Sequence, residues 1–134
     1  NVVGSQLSVN KMNEAVQELE KKYDIEIPEF TLAAVRMDNE FYHSWYLGTE
    51  TEVTNEELAE TLDLVLKEAN KNYGVARSIA LKGVKVHTIS PALFYEWNAA
   101  NKKKGGQVKM EKVMDEKKFA QWEEFIKDQL QKTS

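Results

Sequence analysis

The stretch of sequence that decides the fold runs from Glu29 to Leu47 and reads E-F-T-L-A-A-V-R-M-D-N-E-F-Y-H-S-W-Y-L. Two segments rich in β-branched and aromatic residues, Glu29 to Met37 and Phe41 to Leu47, lie on either side of the pair Asp38-Asn39. Asp and Asn favour turns because their short polar side chains tolerate left-handed backbone angles. The stretch therefore predicts two strands joined in an antiparallel hairpin.

Helices are predicted on both sides of this hairpin from apolar residues at helical spacing. The first has Ser8 as its N-cap and ends before Pro28. The second begins at Thr54-Asn55-Glu56-Glu57, a capping box in which the first and last side chains satisfy backbone amides at the helix start. We expect this helix to end near Tyr73-Gly74.

A third strand and two further helices complete the pattern. Val84 to Ile89 alternates like a half-buried strand, and Ser90-Pro91 begins a helix because proline at the first helical position loses no hydrogen bond. A short extended piece is expected from Gln107 to Met110, and a last helix from about Asp115. The buried face of that helix is expected to carry Phe119, Trp122, Ile126 and Leu130.

This order of elements is typical of an α+β fold, with a small mixed or antiparallel sheet of three to four strands packed with about four helices. The order is helix, strand, strand, helix, strand, helix, short strand and helix. Trp45, Trp97 and Trp122 are interpreted as core residues of this sheet and its helices.

The composition is that of one globular domain, residues 1–134: hydrophobic residues make up 42% of the chain and charged residues 30%. The net charge of −4 argues against a nucleic-acid partner. The chain has no cysteine, which excludes disulfides and thiolate metal sites. No apolar stretch approaches the roughly 18 to 20 residues of a membrane span, so we expect no membrane partner and a cytoplasmic location. Because the chain begins at Asn1, we expect a piece of a longer protein.

The segment from Phe94 to Lys109 carries the clearest functional pattern, F-Y-E-W-x4-K-K-K-G-G-Q-x-K. Gly105 and Gly106 can adopt the backbone angles that end a helix, and they let a ligand approach closely. In an extended segment, Gln107 and Lys109 point to the same side. An amide and an ammonium directed at one target suit a phosphate or a carboxylate.

This pattern resembles the F-x-E-W, basic stretch and G-G-Q-x-K series of the C-terminal domain of the Gretchen-Hagen (auxin-responsive promoter) acyl-acid amido synthetases, bacterial type, within the adenylate-forming superfamily. The resemblance continues upstream in H-S-W from His43, in the leucine pair Leu58 and Leu62, and in the N-x-x-Y-x-x-x-R segment that ends at Arg77. The opening, Gly4 to Ala15, resembles the family's link between its large and small domains, so residues 1–8 are interpreted as part of that linker.

The resemblance implies that the chain is the mobile C-terminal cap domain of an ATP-dependent enzyme and is inactive alone. Such an enzyme adenylates a carboxylic acid and then transfers the acyl group to an amine or amino acid. ATP and Mg would be bound mainly by the missing N-terminal domain, with no cofactor in this chain. The implied partners are that N-terminal adenylation domain and small carboxylic acid and amine substrates.

The resemblance also implies roles for single residues. Lys109 would be catalytic, because its charge would steady the carboxylate and the α-phosphate during adenylation. The residues implied to bind nucleotide or substrate are Gln107, Gly105, Gly106, Arg77 and Lys112. Lys112 stands where relatives commonly have an arginine.

Each of these residues also has a structural interpretation. From spacing alone, Lys109 is more typical of an exposed edge strand, where lysine discourages pairing, and the functional interpretation depends on the resemblance. Arg77 more often packs its stem across a helix end and pairs with an acid. Glu111 places a negative charge beside the proposed catalytic lysine, which favours a second hypothesis, a non-catalytic binding or interaction module with the same fold.

The two histidines, His43 and His87, carry no metal-site spacing such as H-x-x-x-H, and we expect no metal site. Both lie in predicted strands. They are therefore interpreted as satisfied histidines of the sheet.

Overall fold

The computed structural model describes residues 9–69, 81–100 and 112–132. These residues form four helices and three strands, in an order that agrees with the sequence pattern. The elements are α1 (Val9–Tyr23), β1 (Glu29–Met37), β2 (Glu40–Gly48), α2 (Asn55–Ala69), β3 (Leu81–Ile89), α3 (Pro91–Ala100) and α4 (Glu116–Lys132).

The three strands form one sheet in the order β1-β2-β3. β1 and β2 pair antiparallel, with Glu29 opposite Gly48, and β2 and β3 pair parallel. The turn of the hairpin is formed by Asp38 and Asn39, whose φ angles of 52° and 66° are the left-handed values that a tight two-residue hairpin turn needs. The sheet is therefore mixed, and the predicted α+β fold is confirmed.

A short segment extends the sheet beyond β1. The Leu32 amide donates to the carbonyl of Lys112 at 2.9 Å, and the Met114 amide donates to the carbonyl of Leu32 at 2.9 Å. This pairing makes a parallel bridge between Leu32 and Val113. The extended piece predicted for Gln107 to Met110 lies outside the described residues.

Side chains alternate along each strand, so both faces of the sheet carry apolar residues. Helices pack on both faces and bury them. One core lies between the sheet and α1 and α2, and the other between the sheet and α3 and α4. The first core contains Met12, Ala15, Val16, Leu19, Ile27, Phe30, Leu32, Trp45, Leu47, Leu58, Leu62, Leu66 and Val86. The second contains Ala33, Tyr46, Ile89, Phe94, Trp97, Met114, Phe119, Trp122 and Ile126.

The core predictions are largely confirmed. Trp45 and Trp122 are fully buried and Trp97 is 7% exposed. Leu130 differs from the expectation, since 52% of it is exposed. Ile126 is therefore the last residue of α4 that belongs to the core cluster.

At the predicted helix starts, side chains accept hydrogen bonds from backbone amides of the first helical turn. The Thr54 hydroxyl accepts a hydrogen bond from the Glu57 amide at 3.1 Å, and Asp115 accepts one from the Lys118 amide at 2.7 Å. Ser90 accepts from the Ala92 amide at 3.3 Å at the start of α3. The predicted cap at Ser8 and the predicted end of α2 near Tyr73-Gly74 lie outside the described residues. Among the helices of the described ranges, none has the length and apolarity needed to cross a membrane.

Burial of His43 on β2 makes the stability of the fold depend on pH. The side chain is fully buried, and burial lowers the pKa of its imidazole from 6.5 to about 4. The neutral form is therefore favoured in the folded state, and its stabilisation is present above about pH 6.5. We expect the free energy of unfolding to fall by about 2 kcal/mol between pH 7 and pH 5 as the unfolded state takes up this proton.

This drop is measured by urea unfolding across that pH range, in the native protein and in His43→Leu. The drop should be smaller in the variant by about 2 kcal/mol, because position 43 no longer titrates. His87 is present in both proteins, so its contribution cancels. The same pH dependence in both proteins would contradict the assignment to His43.

The absence of a side chain at Gly48 lets α3 approach the sheet. A Cβ atom at this position would lie 2.8 Å from Cε1 of Phe94 and 3.1 Å from the carbonyl oxygen of Glu29. Phe94 is fully buried and the carbonyl belongs to the neighbouring strand, so neither can move freely. We expect Gly48→Ala to lower the free energy of unfolding by about 1–3 kcal/mol.

The matched control is Phe94→Leu, alone and combined with Gly48→Ala. If the contact with Phe94 causes the loss, the double variant should be more stable than the sum of the two single changes predicts. Additive losses in denaturant unfolding would show that Phe94 is not the cause.

Candidate functional site

Lys112 is the one predicted site residue that falls within the described ranges. Lys109, Gln107, Gly105, Gly106 and Arg77 all lie outside them, and so does Glu111. Their assigned roles stay predictions. The structure does describe the residues that precede and follow the segment carrying most of them.

The segment follows α3, where Phe94 and Trp97 of the F-Y-E-W motif are buried. Phe94 packs over Gly48, and the Trp97 ring contacts the Trp122 ring at 5.4 Å between centroids with an angle of 88°. The two residues between them, Tyr95 and Glu96, are exposed, and the exposed fraction of Tyr95 is 52%. The motif therefore fixes α3 against the sheet and α4. The glycine- and lysine-rich segment follows directly after α3 in the sequence.

The chain after the segment is held by the edge of β1. The Lys112 carbonyl accepts the Leu32 amide at 2.9 Å, and the Thr31 hydroxyl lies 3.4 Å from the same oxygen. Two residues later Met114, which is 3% exposed, enters the core under α3 and α4. Lys109 is thus only three residues along the chain from a point fixed to the sheet.

The Lys112 side chain is engaged locally. Its Nζ lies 3.7 Å from Oε1 of Glu29 and 4.5 Å from the centroid of the Phe30 ring. The Lys112 and Glu29 side chains are 28% and 23% exposed, so water screens the pair incompletely. The ion pair and the cation–π contact hold the ammonium at the edge of β1.

No pattern in the sequence predicts this anchor. Val113 and Met114 form a run too short for any periodicity, and a single bridge between strands leaves no pattern. The sequence predicts only that Glu29 lies in a strand, because its partner Lys112 is 83 residues away and only the fold brings the two together.

A second polar cluster lies on the face of the sheet covered by α4. The Tyr46 hydroxyl donates to Oε2 of Glu123 at 2.8 Å, and the His87 ring stacks on the Tyr46 ring at 4.6 Å. Burial, and after it the Glu123 carboxylate, raises the pKa of Tyr46 above its ordinary value. Burial lowers the pKa of His87 and Lys85 lowers it further, while Glu123 acts in the opposite direction.

These shifts favour a neutral phenol and a neutral imidazole near pH 7, so the cluster is suited to joining α4 to β2 by a charge-assisted hydrogen bond. Sequence reasoning missed Glu123. Its position four residues after Phe119 and one after Trp122, both in the core, was the available signal that a carboxylate lies beside the apolar face of the helix.

Both histidines lie in strands, as predicted: His43 is buried on β2, and His87 is stacked on Tyr46. Within residues 9–69, 81–100 and 112–132, no three side chains of the His, Cys, Asp and Glu types come together as a metal site would need. The expectation that the chain holds no metal stays a prediction.

Comparison with known structures supports the fold. The chain is similar to a solved structure described as a GH3.15 acyl acid amido synthetase, with a TM-score of 0.65 and 14% sequence identity. The match covers 84% of this chain and 22% of that one, so this chain spans about a fifth of the length of that structure. At this identity the likeness shows a shared fold. No curated protein matches the chain in sequence.

Comparison with protein families identifies the domain. The model of the GH3 family C-terminal domain matches residues 10–118, which include α1 apart from Val9, every element from β1 to α3, the bridge at Val113 and the start of α4. The match also spans all the residues on which the Gretchen-Hagen resemblance depends, apart from the linker residues before Asn10. The chain therefore belongs to the GH3 family, as its C-terminal domain.

Proposed function

We propose that the chain is the mobile C-terminal domain of an ATP-dependent acyl-acid amido synthetase and is inactive by itself. The observation that carries this proposal is the match of residues 10–118 to the GH3 C-terminal domain. The anchor at Lys112 supports it. The residue before the lysine-rich segment ends a helix packed in the second core, and the residue after it is bonded to the edge of β1, so both ends of the segment belong to one folded body that could meet a partner surface.

The proposed reaction has two steps. A carboxylate oxygen attacks the α-phosphorus of ATP, the bond to the β-phosphate oxygen breaks, and pyrophosphate leaves with its electron pair. The nitrogen of an amine or amino acid then attacks the carbonyl carbon of the acyl-adenylate, AMP leaves, and the nitrogen loses a proton. ATP and Mg²⁺ would be held mainly by the N-terminal adenylation domain of the same polypeptide.

Lys109 is the proposed catalytic residue of the first step. Negative charge accumulates on the phosphate oxygens as the carboxylate approaches, and an ammonium placed beside them in a water-poor site stabilises that charge. Gln107 would orient the same group by hydrogen bonds. Gly105 and Gly106 would allow close approach of the nucleotide, and Arg77 and Lys112 would add positive charge.

The test of this function uses the full-length protein that contains the chain, assayed for pyrophosphate exchange into ATP that depends on an added carboxylic acid. We expect exchange with at least one acid of a panel of small aliphatic and aromatic acids. Lys109→Ala should lower the exchange rate about 100-fold, as the loss of one group that stabilises the transition state does in other enzymes.

The matched control is Lys21→Ala. The Lys21 side chain is 79% exposed at the end of α1 and makes a single surface ion pair at 3.9 Å, so its loss should leave exchange unchanged. Equal exchange in native protein and Lys109→Ala would remove Lys109 from the mechanism. Absence of exchange with every acid, together with no binding of ATP in calorimetry, would favour the non-catalytic module that Glu111 suggests.

The role of Lys112 is tested with two variants, one that removes its charge and one that only breaks its ion pair with Glu29. Lys112→Met keeps an apolar stem beside Phe30 and removes the charge, and we expect it to raise the KM for ATP about fivefold, the effect of one partly screened charge. Glu29→Gln breaks the same ion pair and keeps the ammonium, so its KM for ATP should not rise. If both variants raise KM equally, Lys112 acts only through its pair with Glu29.

A further inference from the structure

Tyr46 on β2 is a point at which the centre of the sheet meets α4. Its ring contacts the Phe119 and Trp122 rings at 5.7 Å between centroids in each case, with the edge of one ring toward the face of the other. Its hydroxyl donates to Oε2 of Glu123 at 2.8 Å. Because Tyr46 is only 7% exposed, a hydroxyl that lost this acceptor would be left nearly buried, and that loss would weaken the packing of α4 on β2.

The hydrogen bond between Tyr46 and Glu123 depends on the position of the carboxylate. Burial, and after it Glu123, raises the pKa of Tyr46, so the phenol keeps its proton and acts as the donor. The bond therefore persists only while Glu123 keeps its carboxylate turned toward β2. A second donor that attracted Glu123 more strongly would break it.

His87 on β3 is such a second donor. It lies opposite Tyr46 in the register of the two parallel strands, and its ring stacks on the Tyr46 ring at 4.6 Å between centroids. The Glu123 carboxylate acts on the imidazole and favours its protonated form. An imidazolium has two N–H donors and a positive charge, so it binds a carboxylate more strongly than a neutral phenol does.

The surroundings of His87 set the pH at which this competition begins. Burial lowers the pKa of the imidazole from 6.5, Glu123 on α4 raises it, and Lys85 on β3 itself lowers it. β2 contributes the neutral Tyr46 ring, and α2 packs on the opposite face of β3, where Val86 is buried. His87 is therefore neutral near pH 7 and takes up a proton only below pH 6.5.

We propose that protonation of His87 draws the Glu123 carboxylate from the Tyr46 hydroxyl to the imidazolium and so loosens α4 on β2. The Tyr46 ring beneath the imidazolium favours the same state, because a cation is attracted to the face of an aromatic ring. Met114 shares a core with Phe119 and Trp122, so the change reaches the residues that are bonded to the edge of β1. None of these side chains takes part in the proposed adenylation, so this pH switch does not depend on that reaction.

The experiment measures amide hydrogen exchange in the full-length protein by mass spectrometry from pH 7.5 to pH 5.0, with correction for the pH dependence of intrinsic exchange. Protonation of His43 lowers the protection of all helices through global unfolding, so the measured quantity is the ratio of the protection of α4 to that of α1. We expect this ratio to fall about three- to tenfold, the effect of losing one hydrogen bond, with a midpoint below pH 6.5. A ratio that stays constant with pH would overturn the proposal.

Two variants test the partners of the switch. His87→Phe keeps a ring on Tyr46 and does not titrate, and Glu123→Gln keeps an oxygen acceptor for the Tyr46 hydroxyl but has no charge to pair with an imidazolium. Both should hold the ratio nearly constant across the pH range. Glu124→Gln, which changes the exposed neighbour on α4, is the matched control and should behave like the native protein. A fall in His87→Phe or in Glu123→Gln as large as in the native protein would overturn the proposal.

Lys85 provides a test of the direction of the shift. Because Lys85 lowers the pKa of His87, Lys85→Gln should move the midpoint to higher pH, by about 0.2 to 0.5 pH units for one exposed charge. Lys82→Gln is the matched control on the same strand, where the lysine is 61% exposed and pairs with Glu40 at 3.9 Å, and it should leave the midpoint unchanged. A midpoint that does not move in Lys85→Gln, or that moves equally in both variants, would contradict the assignment to His87.

Discussion

Both helical layers pack on the same central strand, and this constraint sets the rest of the structure. Trp45 and Tyr46 are neighbours on β2, yet one belongs to the core under α1 and α2 and the other to the core under α3 and α4. Because successive side chains of a strand point to opposite faces, a slip of one residue in register would exchange the two sets and bury the wrong side chains. The antiparallel hairpin and its Asp38-Asn39 turn fix that register at one end.

The edge of β1 holds the residues that directly follow the proposed catalytic segment. The Leu32 amide donates to the Lys112 carbonyl and the Leu32 carbonyl accepts from the Met114 amide, so these two residues are fixed to the sheet by backbone hydrogen bonds. Met114 and α3 tie the same region to the second core. The described residues thus precede the lysine-rich segment in α3 and follow it at the edge of β1.

Much of the fold could be predicted because its signals are local. Thr54, Ser90 and Asp115 mark helix starts through hydrogen bonds that span two or three residues. The contacts between Lys112 and Glu29, and between Tyr46 and Glu123, could not be predicted, because they join residues 83 and 77 positions apart. Leu130 was misassigned because helical periodicity shows which face is apolar and not how far along the helix the core extends.

The sequence by itself determined the order of helices and strands, the hairpin turn and the resemblance to the Gretchen-Hagen synthetases, since each depends on residues close together in the chain. Only the tertiary structure decided that Lys112 pairs with Glu29 and that Glu123 acts on His87. Charges far apart in the sequence meet only when the sheet and its helices bring them together. Their electrostatic interaction depends on the distance between the charges and on their exposure to water, and the amino-acid sequence shows neither quantity.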